Sequence, residues 1–210
     1  PNKNLVYKII YNYPLKKNIK KRSSYLRDKF SFSSNTTILL YQGVIQKNRG
    51  ILQLVKIVKN TENTAGVIVG GGEFKRTVKQ HIKKQKLCSR IFFLHPAPYL
   101  ELFKITSSAD IGVALIRPVG LSNQYALPNK LFEYALSGIP TLASNLQNMH
   151  KVINRHNLGW CVDSNDLKHQ IQLIKNYQKS GYSLEQEKLS RFSWEYQHDA
   201  FINFVLHGKI

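Results

Sequence analysis

The period of apolar and polar positions changes repeatedly along this chain. TILLYQG at 37–43 is a short apolar run ending in glycine, the pattern of a buried strand followed by a tight turn. Behind it, Ile51, Leu54, Val55 and Val58 fall at i, i+3, i+4 and i+7, which is one face of a helix. AGVIVGGG at 65–72 predicts a second buried strand with a glycine turn, and Phe74, Val78 and Ile82 then recur every four residues on a helix. RIFFLHP at 90–96 predicts a third strand, stopped by Pro96 and Pro98. A short helix over 101–107 and a fourth strand, DIGVALI at 110–116, follow. After a loop over 117–127, Pro128 stands at a helix start, where proline is tolerated; Gly138 ends that helix and Pro140 follows. PTLAS at 140–144 and GWCVD at 159–163 complete the strands. A helix over 166–178 and an aromatic-rich helix over 184–205 close the chain.

Apolar strands alternating with helices predict an α/β fold, a Rossmann-like doubly wound parallel sheet of about six strands with helices on both faces. Such sheets bind ligands beyond the carboxyl ends of their strands, at the switch in strand order. The expected division is a basic connector over 1–36, a ligand-binding domain over 37–182 and a helical tail over 183–210. Residue 1 is Pro rather than Met, and within the basic stretch from Lys3 to Arg27 only LVYKII at 5–10 is patterned. A fragment opening at a linker is therefore expected.

Composition narrows the class. With 210 residues, 42% hydrophobic and 11% aromatic, the chain is long and apolar enough to bury a core, which excludes global disorder. Two cysteines, Cys88 and Cys161, exclude a disulfide scaffold and a four-cysteine zinc site. No apolar run approaches the ~20 residues that cross a bilayer. The net charge of +19 calls for an anionic partner: phosphate, nucleic acid or lipid head groups.

Three strand-end segments hold the candidate chemistry. In Gly70-Gly71-Gly72-Glu73-Phe74-Lys75, Lys75 replaces the last glycine of the dinucleotide fingerprint, and no Gly-Lys-Ser/Thr P-loop is present. In the loop 43–50, Gly43 admits a ligand close to the backbone, and Arg49 precedes a helix start suited to phosphate. In 125–134, Asn129 and Glu133 are i, i+4, and Lys130 and Glu133 are i, i+3. One cation and one carboxylate at a helix start match a diphosphate joined to a ribose, whose diol the carboxylate would hold. The competing reading is a Lys–Glu surface pair worth about 0.5 kcal/mol.

The loop G-x(5)-R-G, the GGG turn and above all PNKLFEYALSGIPTLAS resemble the C-terminal, nucleotide-sugar-binding domain of GT-B glycosyltransferases, closest to the family-4-like group that builds bacterial surface polysaccharides. The resemblance covers roughly residues 37–165. It implies transfer of a sugar from a nucleoside diphosphate sugar, UDP favoured, to a hydroxyl of a glycan or lipid-linked acceptor. It implies that Glu133 is the second glutamate of the E-x7-E motif and holds the ribose. Arg49 touches the diphosphate, and Gly43 opens its loop. The backbone around Leu94, His95 and Pro96 reads the base, and Leu131 lies where backbone borders the phosphates. With Gly71, Val44, Tyr125, Asn129 and Lys130 these complete the expected donor site. Arg49, Lys130 and Glu133 are expected to act in catalysis, with no metal or cofactor. Two positions depart from the family pattern. The first glutamate of the motif is Tyr125, and the arginine that often follows the first glycine is Val44, a charge for which Lys130 is the favoured substitute over Lys47. The acceptor site is expected on a preceding half, leaving this chain to bind nucleotide with little or no turnover.

His95 is read as a turn-satisfying histidine or a base contact. The cysteines are read as small buried residues, and Tyr99, Trp160 and Trp194 as packing aromatics. Lys75, Arg76, Lys79, Lys83, Lys84, Lys86 and Arg90 surround a helix without an intervening acid after Glu73. They fit either a solvated face or one leaning on an anionic membrane, which goes with a cytoplasmic enzyme peripheral to the inner face of the cell membrane. Two alternatives remain: a GT-B-like UDP-sugar epimerase, and a basic nucleic-acid-binding module. The second is disfavoured because no RRM, OB or zinc-finger pattern accompanies the charge.

Overall fold

The computed structural model describes residues 9–16 and 22–207; parts of the LVYKII segment and of the basic stretch at 16–27 lie outside the described residues. Six strands form one sheet: β1 Thr37–Gln42, β2 Thr64–Val69, β3 Ile91–Leu94, β4 Ile111–Ala114, β5 Thr141–Ser144 and β6 Gly159–Val162. The order is β3-β2-β1-β4-β5-β6 and every pairing is parallel, so the expected doubly wound sheet is the one found. Alternation along β1 separates two layers. Leu39 and Tyr41 enter a cluster with α2 (Ile51–Lys59), α3 (Lys75–Lys84) and α8 (Leu167–Ser180). Ile38 and Leu40 enter another with α1 (Tyr25–Phe30), α4 (Tyr99–Thr106) and α6 (Lys130–Leu136). A third cluster joins α6 to α7 (Gln147–His156) and to the tail.

The order reverses between β1 and β4. β1 pairs with β2 through six residues but with β4 only at Leu39–Ile111 and Leu40–Gly112. Beyond Leu40 the two strands part. Tyr134 of α6, fully buried, fills the gap: its hydroxyl donates to the Leu40 carbonyl at 3.1 Å and accepts from the Gln42 N–H at 3.3 Å. Burial holds that phenol well above its ordinary pKa. Gly112 makes the room, because any Cβ there would overlap the Tyr134 ring.

Several elements differ from the sequence reading. α7 has no predicted counterpart. Its stripe, Leu146, Met149 and Ile153, is diluted by Gln147, Asn148, His150 and Lys151. The expected helix over 184–205 is three pieces, α9 (Gln186–Leu189), a 3-10 turn Ser190–Phe192 and α10 (Trp194–His207), because Ser193 adopts extended backbone. The loop over 117–127 carries a one-turn helix, α5 (Leu121–Gln124). α1 sits within the basic connector yet buries Leu26 and sends Arg27 to Asp110 at 2.9 Å, where Arg22 joins at 3.1 Å. Cys88 is exposed rather than buried, since it lies in the turn before β3; Cys161 is half-buried. Tyr99 is partly exposed at the strand ends rather than packed in the core. Arg90 leaves the basic face: its guanidinium donates to the Thr61 and Thr64 carbonyls.

The glycine turn after β2 fits the loop after β1 backbone to backbone. The Gly43 N–H donates to Val69 at 3.0 Å and the Ile45 N–H to Gly71 at 2.8 Å. Gly70 has φ +143°, and a Cβ there would collide with the Gly43 carbonyl, whereas one at Gly71 would meet only Pro96 Cγ at 3.6 Å. Gly70→Ala is therefore expected to cost about 2–4 kcal/mol of stability in urea denaturation, and Gly71→Ala less than about 0.5 kcal/mol. Equal losses at the two positions would contradict this packing.

Candidate functional site

The last two residues of β1 arrange the charges that the sequence singles out. Gln42 is almost fully buried, and its side-chain amide donates to the Glu133 carboxylate. The Gln42 side-chain oxygen lies 2.8 Å from the Thr106 hydroxyl of α4, and the Glu133 carboxylate, which only accepts, fixes the orientation of the amide. Glu133 itself is half-buried, beside Tyr99, Leu102 and Pro14. Burial raises its pKa, while the Gln42 bond and Lys130 oppose the shift.

Tyr41 organises the cation. Its hydroxyl donates to the Val44 carbonyl at 2.6 Å, pinning the loop that follows β1. The Lys130 ammonium lies 3.8 Å from the centroid of the Tyr41 ring. Burial lowers the Lys130 pKa from 10.5 to about 7; Glu133 opposes that shift and Arg49 adds to it. The Tyr41 phenol is pushed up to about 12 by burial, with Arg49 opposing. A Lys–Glu surface pair would close the two charges on each other. Instead Glu133 is held by Gln42 and Lys130 by an aromatic face, and among the described residues neither Lys130 nor Arg49 has an ion-pair partner within 4 Å. One carboxylate and two basic side chains thus stand at the carboxyl end of the central strand without an ion pair within 4 Å among the described residues.

The other expected residues distribute around this centre. Gly43, exposed with φ +120°, lies beside the ammonium: a Cβ on it would sit 3.7 Å from Lys130 Nζ. Arg49 is half-buried just before α2 and close enough to perturb both Tyr41 and Lys130. Lys47 lines a separate cavity against α2 and α3. Val44 and Tyr125 present exposed side chains, and the Tyr125 carbonyl accepts from Asn148 at 2.8 Å. His95 is exposed on the loop after β3, and Gly71 is half-buried on the loop after β2. Asn129 is exposed and caps nothing with its side chain. Leu131 is fully buried in the core.

One expectation needs correction. A diphosphate bound at the helix start over 129–134 would be expected to meet exposed backbone N–H groups there. The Leu131 N–H is already given to Pro128 at 3.0 Å and the Phe132 N–H to Asn129 at 2.9 Å, because the chain enters α6 through a tight turn. The side chains of Lys130, Arg49 and Glu133 supply the polar chemistry instead. Sequence reasoning missed Tyr41, Gln42, Thr106 and Tyr134. A glutamine closing an otherwise apolar strand was the available signal for Gln42; the others meet the site only through tertiary contacts.

Among the described residues, no cluster of three His, Cys, Asp or Glu side chains is placed to hold a metal ion, and no helix is long and apolar enough to cross a membrane.

Comparison with known proteins bears on what this arrangement is. The family model for glycosyl transferases group 1 matches residues 24–193. No curated protein matches the chain. Among solved structures, Anabaena HepE in complex with UDP and glucose superposes with a TM-score of 0.76 at 17% identity, covering 94% of this chain and 56% of HepE. WaaG, a glycosyltransferase involved in lipopolysaccharide biosynthesis, gives 0.68 at 14% identity over 94% of this chain and 56% of its own. The C-terminal domain of the group 1 protein LpcC from Francisella tularensis gives 0.60 at 17% identity, with 94% of this chain on 96% of that domain. The chain thus spans little more than half of HepE or WaaG but nearly all of a C-terminal domain, and its sheet is the Rossmann-like half of the GT-B fold. It belongs to the group 1 glycosyl transferases.

Proposed function

We propose that this chain is the donor half of a glycosyltransferase and binds a nucleoside diphosphate sugar, UDP favoured, between the loop after β1 and the start of α6. The observation that carries the reading is the pair of charges held apart there. Glu133 is tied to Gln42, Lys130 lies over Tyr41, and neither neutralises the other. A ribose diol donates two hydrogen bonds to a carboxylate, and a diphosphate takes up two cations; one ligand offers both. HepE structures hold UDP and UDP-glucose, which supports the choice of nucleotide.

In this reading the reaction is electrostatic. As the bond between sugar and diphosphate breaks, negative charge grows on the leaving phosphate, and Arg49 and Lys130 stabilise it. Tyr41 and Gln42 keep these groups in place before the ligand arrives. The acceptor hydroxyl, on a glycan or a lipid-linked molecule in surface polysaccharide synthesis, and any base that deprotonates it belong to the other half. This half alone binds nucleotide with little turnover. The exposed lysines of α3 carry charge suited to an anionic membrane beside a lipid-linked acceptor, which fits a cytoplasmic enzyme peripheral to that surface.

Three measurements test this. Glu133→Ala is expected to weaken UDP binding by about 2–3 kcal/mol in calorimetry, through lost charge-assisted bonds to the ribose; unchanged affinity removes the ribose role. Arg49→Ala is expected to weaken UDP far more than uridine, and equal losses would remove its diphosphate role. The third is a pH profile. UDP is attracted by protonated Lys130, whose pKa in the free protein is about 7, so affinity falls as pH rises above that value. The decline approaches about tenfold per pH unit, and Lys130→Gln lowers affinity at neutral pH and flattens the profile. A wild-type profile already flat from neutral to alkaline pH would rule out a titrating lysine at the phosphates.

A further inference from the structure

Away from the strand ends, a cavity of about 370 Å³ opens between α7, the 3-10 turn, the start of α10 and the segment 9–16. Lys151, Arg155, His156 and Arg191 line it, with Tyr11 and Tyr196 among its aromatic walls. Among the described residues no acidic side chain lines it. Among the described residues, no ion pair within 4 Å reaches Lys151, Arg155 or Arg191.

Three features indicate a site built for an anion. Among the described residues, Arg191 Nε is buried with no hydrogen-bond partner, which carries a desolvation cost. The His156 imidazole is held below its ordinary pKa by burial and then by Arg191 and Arg155, so the cluster already works against its own charge. The wall is also fixed in place. The Tyr11 N–H donates to Gln197 at 3.1 Å, and the Gln197 amide donates back to the Tyr11 carbonyl. Phe192 meets His156 edge-on, with centroids 5.0 Å apart.

We infer that this cavity binds a phosphate monoester whose organic part is apolar. A dianion matches two guanidinium groups, an ammonium and a protonatable imidazole, and guanidinium forks pair with phosphate oxygens in two-point contact. The aromatic walls suit a flat or apolar body beside the phosphate. The residues are separate from those of the proposed donor site. The ligand chemistry has two sources, a small free phosphate ester or the head group of an acidic lipid.

Phenyl phosphate titrated into the chain already saturated with UDP distinguishes this site from the proposed donor site. Saturable heat is expected, and Arg155→Gln, at an exposed position that leaves the core intact, is expected to weaken it about tenfold with UDP affinity unchanged. Arg191→Lys, which keeps the charge but loses the fork, is expected to weaken it as well. For the lipid source, the chain is sedimented with phosphatidylcholine vesicles with and without phosphatidic acid. Retention that needs phosphatidic acid and is lost in Arg155→Gln assigns the head group. The inference fails if phenyl phosphate binds only in the absence of UDP, or if neither phenyl phosphate nor phosphatidic acid vesicles bind in a way that Arg155→Gln diminishes. Loss of UDP binding in Glu133→Ala with this binding intact separates failure at the two sites.

Discussion

The site depends on how one tyrosine closes the opening between two strands. Parallel strands that diverge leave backbone groups unpaired, and a buried unpaired carbonyl or N–H costs on the order of 1–3 kcal/mol. Where β1 and β4 part, Tyr134 satisfies the Leu40 carbonyl and the Gln42 N–H with a single hydroxyl. The ring fits because residue 112 has no side chain. A helix anchored so close to its first residue has little freedom in rotation or height. Glu133, the preceding residue, and Lys130, one turn back, are thereby carried to the end of β1.

Tyr41 and Gln42 then keep the two charges from meeting. A lysine and a glutamate three residues apart on an exposed helix pair readily and gain little. Here each has been given a different neighbour. Gln42 turns its amide N–H toward the carboxylate, which only accepts, and its side-chain oxygen toward the Thr106 hydroxyl. Tyr41 offers a ring to the ammonium while its hydroxyl holds the loop on the other side. The same strand end therefore sets the position of the carboxylate, the cation and the loop that bears Gly43 and Arg49. A half-buried ammonium near Arg49 loses part of its affinity for its proton, and in the proposed donor site an approaching anion would restore it.

The sequence carried the sheet in legible form because each buried parallel strand is a continuous apolar run, and the alternation with helices has few other solutions. It carried Lys130 and Glu133 for a similar reason: helical spacing is local, so i, i+3 already brings them together. What it hid was non-local. Thr106 is 64 positions from Gln42, and Tyr134 is 92 from it, so neither contact leaves a mark in any window of the chain. α7 was hidden differently. Its buried face is narrow and its remaining positions are polar, so the period fades although the helix is well formed. The N–H groups of the α6 start looked available because helix ends usually leave four such groups unsatisfied; the turn at Pro128 and Asn129 had already used two of them.

The surroundings of the charged centre favour a ligand over solvent. Val44, Leu100, Leu121 and Tyr125, on the loops after β1, β3 and β4 or on the helices those loops lead into, are each more than half exposed. Scattered apolar side chains on a surface need no explanation. Here they stand at the same end of the sheet as Arg49, Lys130 and Glu133, which have no ion-pair partners among the described residues. In the proposed donor site, apolar side chains around a few placed polar groups would lower the local dielectric once a ligand covers them, so each charge would act more strongly on that ligand.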